Sequence, residues 1–90
     1  MNNKSVKKVL FKHEQKMPRE QAATLLETIA SKLREDGSFT LNLGEKSQHV
    51  EPAEVVEFEI ELEERNGKYE LEFELEWREG DSKTGEITVE

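Results

Sequence analysis

The sequence contains no cysteine, only two prolines, and six aromatic residues among its 90 positions. Without cysteine, neither a disulfide nor a thiolate metal site can form, so packing alone must hold this small chain together. The absence of disulfides favours a reducing compartment, and no apolar run has the length of a membrane span or the form of a signal peptide. We therefore expect a cytoplasmic protein with no membrane attachment.

Positive charge is scarce, because 13 Lys and Arg residues stand against 21 Asp and Glu residues, for a net charge of -8. A surface of this sign repels phosphates unless basic residues cluster, which argues against a nucleic-acid partner. The charges are unevenly distributed: residues 1–16 carry five lysines and one glutamate, whereas residues 51–79 carry twelve glutamates and three basic residues. The acidic region favours a basic protein as the partner.

Apolar residues make up only 33% of the chain, but they fall into periodic runs. Alternation with lysines predicts a first strand over residues 6–13. Pro18 and an apolar stripe at helical spacing predict a helix over residues 18–35, and Gly37 supplies the stop. The stripe consists of Ala22, Leu25, Leu26, Ile29, Ala30 and Leu33.

Shorter patterns follow the helix. Alternation over residues 39–43 predicts a second strand, and the turn residues that begin at Gly44 predict a return strand that ends before Pro52, which cannot donate a ladder hydrogen bond. A short extra strand is expected over residues 86–89.

The most regular pattern is a pair of alternating runs joined by Asn66-Gly67, the preferred two-residue hairpin turn. This turn fixes the register. One face then pairs Leu62 with Leu71, Ile60 with Phe73, Phe58 with Leu75, and Val56 with Trp77. The other pairs Glu63 with Glu70, Glu61 with Glu72, Glu59 with Glu74, and Glu57 with Glu76. Each like-charge pair disfavours strand pairing by up to about 1 kcal/mol, and the crowding should raise the pKa of the central glutamates.

These elements predict an α+β fold in the order β-α-β-β-β-β, with an antiparallel-rich sheet and one helix packed on one face. One helix about 10 Å across is too narrow to cover five strands spaced about 4.8 Å apart. Part of the apolar face is then left for an interface, with Val56, Phe58, Leu75 and Trp77 as its candidate residues. A homo-dimer, or an accessory domain that associates through this surface, is the alternative function.

The run Leu75-Glu76-Trp77-Arg78-Glu79, preceded by the alternation over residues 58–63, resembles the amphi-Trp domain, a family named for this amphipathic strand and its tryptophan. The start of the chain is also similar, with Phe11, then Glu14-Gln15, then Arg19-Glu20-Gln21-Ala22-Ala23. The resemblance covers about residues 6–79 and implies a single domain over residues 1–79, followed by a tail over residues 80–90. It supplies no catalytic residues, because the family's function is uncharacterised.

The eight glutamates of the like-charge pairs are the candidate partner-binding residues, and solubility is the simpler explanation for them. Opposing carboxylates about 5 Å apart also suggest a retaining glycosidase pair, but a flat row of equivalent glutamates lacks the unequal environments that catalysis needs. No loop has the calcium-binding spacing, and His13 and His49 alone are a weak metal signal. We therefore expect a non-enzymatic interaction module without cofactor or metal.

Overall fold

A computed structural model of the protein describes residues 6–79 and residue 89. These residues form one helix, α1 (Arg19–Asp36), and four strands, β1 (Phe39–Leu43), β2 (Lys46–Val50), β3 (Glu57–Arg65) and β4 (Lys68–Glu76). The chain divides into two compact units, Met1–Val50 with α1, β1 and β2, and Glu51–Glu90 with β3 and β4. The predicted α+β class with antiparallel strands is confirmed.

Helix α1 begins and ends where the sequence predicts, to within one residue. Pro18 is the residue before the first turn, and its carbonyl accepts hydrogen bonds from the backbone N–H groups of Gln21 (3.0 Å) and Ala22 (3.2 Å). At the other end Gly37 takes a left-handed conformation (φ 70°), and its N–H donates to the carbonyl of Leu33 at 3.1 Å. Glycine adopts this conformation without the strain that a side chain would introduce. No helix in the described part of the chain is long and apolar enough to span a membrane.

The first unit places α1 against a small hairpin. Strand β1 pairs antiparallel with β2, from Phe39 opposite Val50 to Leu43 opposite Lys46, and α1 contacts β1. Half-buried residues of the unit lie on the helix stripe and at the alternating positions of β1, and others lie in β2 and beside the helix. Those on the stripe and in β1 include Ala22, Ile29, Leu33, Phe39 and Leu41. Helix periodicity and strand alternation therefore supply the two sides of this packing.

The predicted first strand is not formed. Residues 6–18 lie in neither helix nor strand, although residues 10–12 line a groove of about 220 Å³ together with residues 46–48 of β2. Lys8, Leu10 and Lys12 would share one side of an extended strand, so neither of its faces would be uniformly apolar. Such a segment gains little by burying one face in a sheet, and its alternation was too irregular to define a strand.

The strands also differ from the expected single sheet, because they form two separate antiparallel pairs, β1–β2 and β3–β4. Of the extra strand expected over residues 86–89, only Val89 lies among the described residues, and it is in no strand.

The second unit contains the predicted long hairpin. Nine residues of β3 pair with nine of β4, from Glu57 opposite Glu76 to Arg65 opposite Lys68. Asn66 (φ 50°) and Gly67 (φ 82°) form the turn with positive φ at both positions, as the preferred two-residue turn requires. The register read from the sequence is therefore confirmed at seven of the eight predicted pairs. The eighth, Val56 with Trp77, lies just beyond the ends of β3 and β4 and is not among the paired residues.

Candidate functional site

One side of the β3–β4 hairpin carries eight glutamates, and we call this side the acidic face. Successive residues of a strand point to opposite sides, so the register brings alternate glutamates together as four directly opposed pairs. Residues on one side of a strand recur about every 6.8 Å, so the face extends for about 20 Å. All eight side chains are exposed. They are Glu57, Glu59, Glu61, Glu63, Glu70, Glu72, Glu74 and Glu76.

The turn determines how closely the opposed residues approach. A two-residue turn makes the flanking residues Arg65 and Lys68 a hydrogen-bonded pair, and hydrogen-bonded and non-hydrogen-bonded pairs then alternate along the hairpin. The glutamate pairs occupy the hydrogen-bonded positions, where Cα atoms are about 5.5 Å apart, and the apolar pairs occupy the closer positions at about 4.5 Å. The register therefore gives the carboxylates the wider spacing and the apolar side chains the tighter packing.

Few cations compensate the acidic face. Lys68 forms an exposed ion pair with Glu70, with Nζ 3.6 Å from Oε1. Within residues 6–79, Glu70 is the only glutamate of the acidic face that forms such a pair. Arg65 and Lys68 lie on the same side of the hairpin as the glutamates, so the face ends in a pair of positive residues at the turn. An exposed pair of this kind contributes only about 0.2 to 1 kcal/mol, so a strong negative field remains.

The crowding affects protonation at the centre of the face. The pKa of Glu61 is raised above its ordinary value, first because its protonated carboxyl shares a hydrogen bond with Glu63, and then because the negative charge of Glu63 is nearby. Slight desolvation and the charges of Glu59 and Glu72 act in the same direction. The expected rise in pKa is therefore confirmed at Glu61.

The hairpin tip contains a contact that the sequence analysis did not identify. Glu64 interrupts the alternation and lies opposite Tyr69, on the apolar side of the hairpin. Its Oε2 accepts a hydrogen bond from the N–H of Gly67 at 2.9 Å, which ties the turn to the end of β3. The available signal was the second of two consecutive glutamates, Glu64, which breaks the alternation three residues before the turn glycine. A carboxylate can satisfy a turn N–H in this way.

The opposite side of the hairpin is apolar and unevenly exposed. Val56, Leu75 and Trp77 of the predicted apolar interface are half-buried, whereas Phe58 is 56% exposed. Exposure increases toward the turn. We call the exposed group near the turn the apolar face; it consists of Phe58, Ile60, Leu62, Leu71 and Phe73, which are 49 to 66% exposed.

The two histidines lie in unrelated surroundings. His13 Nε2 is 3.0 Å from the side-chain oxygen of Gln15, and His49 Nδ1 is 3.1 Å from the hydroxyl of Thr40, its partner across the β1–β2 pair. No cluster of three or more His, Asp or Glu side chains in the described ranges has the geometry of a metal site. The structure thus assigns the histidines local hydrogen bonds.

The fold and the hairpin define a small α+β domain with an acidic, amphipathic last hairpin that leads into a tryptophan. The chain matches the Amphi-Trp domain over residues 4–90, and it belongs to this family. The resemblance seen in the sequence is confirmed, and the match extends to residue 90, beyond the run that ends at Glu79. No curated protein and no solved structure matches the chain.

Proposed function

We propose that the chain is a small interaction module without enzymatic activity, and that its acidic face binds a basic protein segment. The observation that supports this proposal is the register of β3 and β4, which concentrates eight carboxylates on one exposed side. A fixed array of like charges creates a field that attracts and orients an oppositely charged segment. The opposed pairs of glutamates recur about every 6.8 Å along the acidic face, which equals the spacing of alternate side chains on an extended partner strand.

The cost of the arrangement also supports a functional role. Each opposed pair of glutamates disfavours the hairpin by up to about 1 kcal/mol, and alternating Glu and Lys would keep the face charged without that cost. A basic segment laid on the face would neutralise the carboxylates and remove the repulsion. Binding would then stabilise the hairpin as well as hold the partner.

The test compares two variants that have the same net charge. The first replaces Glu59, Glu61, Glu72 and Glu74 by Gln, which removes the centre of the acidic face. The matched control replaces Glu14, Glu27, Glu45 and Glu54, four exposed glutamates outside the strands of the hairpin, by Gln. Each variant is used for capture from a lysate of the native host at low and high salt, and the affinity of each captured protein is then measured with purified components.

We expect the wild type and the control to bind a basic protein at low salt and to release it as salt screens the charges, and we expect the acidic-face variant not to bind it. Equal binding by both variants would assign the captured protein to another surface. Failure of the wild type to capture any basic protein would leave solubility as the role of the glutamates.

A further inference from the structure

The apolar face of the hairpin is too large for a two-stranded hairpin to be stable in water without a surface that covers it. A two-stranded hairpin is at best marginally stable in water, and independent stability requires more strands or a surface that covers its apolar side. Here four like-charge pairs weaken the strand pairing further. Five large apolar side chains nevertheless remain about half exposed or more. The hairpin therefore needs a second surface against its apolar face.

The size of the face limits what that surface can be. Phe58 and Phe73 are about half exposed, and Ile60, Leu62 and Leu71 are 56 to 66% exposed. Taking about 150 to 250 Å² for each aromatic side chain and somewhat less for each aliphatic one gives an apolar area of about 400 to 500 Å². Two such faces would remove about 800 to 1,000 Å² from water, and the upper end of this range reaches the lower limit of about 1,000 Å² for a specific protein–protein interface.

We propose that two copies of this chain pack the apolar faces of their hairpins against each other, about a two-fold axis that passes near Ile60 and Phe73. Both copies then use the same surface, as a two-fold interface requires. The result is a two-layered, four-stranded sandwich in which side chains from the two inner faces interdigitate. Ile60 and Phe73 form the middle pair of the exposed group, so the overlap is greatest when the axis lies there.

The positions of the charges favour this arrangement over edge pairing. Face-to-face packing directs all eight glutamates of each copy outward, into solvent and away from the partner copy. Pairing of two hairpins edge to edge would instead extend each row of glutamates with more glutamates. The one charged residue on the apolar side, Glu64, lies at the turn and already accepts the hydrogen bond from Gly67, so it falls at the rim of the interface.

This dimer does not depend on the proposed binding of a basic partner. The two proposals predict opposite effects of added salt. Two copies that each carry a net charge of -8 repel one another, so added salt should strengthen the dimer, whereas it should weaken the binding of a basic segment. An experiment that refutes one proposal therefore does not refute the other.

The first experiment uses the absence of cysteine in the natural chain. The variant Ile60→Cys places one thiol at the centre of the apolar face, and the matched control Glu61→Cys places one on the neighbouring residue, which points to the acidic face. We expect mild oxidation to link Ile60→Cys into disulfide dimers at least about tenfold faster than Glu61→Cys, with a larger difference at high salt. Equal rates in the two variants would exclude the interface.

The second experiment measures association of the unmodified chain by sedimentation velocity, from about 10 μM to about 1 mM. The double variant Ile60→Thr with Phe73→Thr keeps residues that favour strands and should raise the dissociation constant more than about tenfold. Leu26→Gln, at an exposed helix position, should leave it unchanged. A wild type that stays monomeric throughout this range would overturn the proposal, and so would a dimer that dissociates on addition of salt. A monomer in which the Ile60→Cys thiol does not react would also overturn it, because the apolar face would then be covered within one chain.

Discussion

The repulsion across the acidic face can be tested by reversing one charge. Glu74 lies directly opposite Glu59, and both side chains are exposed. The substitution Glu74→Lys removes one like-charge pair, which costs up to about 1 kcal/mol, and creates an opposite-charge pair that contributes about 0.2 to 1 kcal/mol. Since both side chains are in water, each of the two contributions lies in the lower part of its range. The expected gain in the free energy of unfolding is therefore about 0.5 to 1 kcal/mol.

For a domain of this size, 1 kcal/mol raises the melting temperature by about 4 to 8 °C. We therefore expect Glu74→Lys to melt about 2 to 8 °C above the wild type at low salt, as measured by circular dichroism and by the fluorescence of Trp77. In about 1 M salt the Debye length falls to about 3 Å, so the wild type should gain stability and the difference should shrink.

The control for this prediction is Glu54→Lys, which changes the net charge equally at an exposed residue outside the strands. If both variants gained the same stability, net charge would be the cause, and cross-strand repulsion would not. A gain that persisted undiminished in 1 M salt would equally refute the electrostatic explanation.

Two further predictions concern protonation and the turn. Because the pKa of Glu61 is raised in the folded state, its stabilising effect is fully present below the ordinary value of 4.5 and is lost as pH rises through the raised pKa. Melting temperatures measured from about pH 4 to about pH 7 should therefore fall less in Glu61→Gln than in the wild type, and parallel curves would contradict this. Gly67→Ala would place a side chain at φ 82° with nothing within 4 Å of the new methyl group, so only backbone strain should act and stability should fall by about 1 to 2 kcal/mol. Urea denaturation measures the loss, and an unchanged midpoint would show that the turn is not strained.

The sequence was most informative where the determining interactions are local. The helix was located from its apolar stripe and its stop at Gly37, and the hairpin register followed from Asn66-Gly67 alone. In both cases the residues that define the element lie within a few positions of one another, so no knowledge of distant contacts was needed.

The prediction was incorrect where the outcome depends on distant partners. The segment over residues 6–13 would have required a neighbouring strand, and its mixed sides gave it little reason to join one. The uneven exposure of the apolar side, with Trp77 half-buried and Phe73 49% exposed, could not be read from alternation. Alternation specifies which side a residue faces, whereas burial depends on what covers that side.

The pair of Arg65 and Lys68 at the turn has a consequence for anything that binds along the hairpin. A cationic chain laid on the acidic face meets four pairs of carboxylates over about 20 Å and then a positive pair at the next step. Lengthening such a chain beyond the fourth pair adds repulsion instead of attraction. If the acidic face binds a cationic chain as proposed, the positive pair limits the length of chain that gains attraction to the span of the four carboxylate pairs.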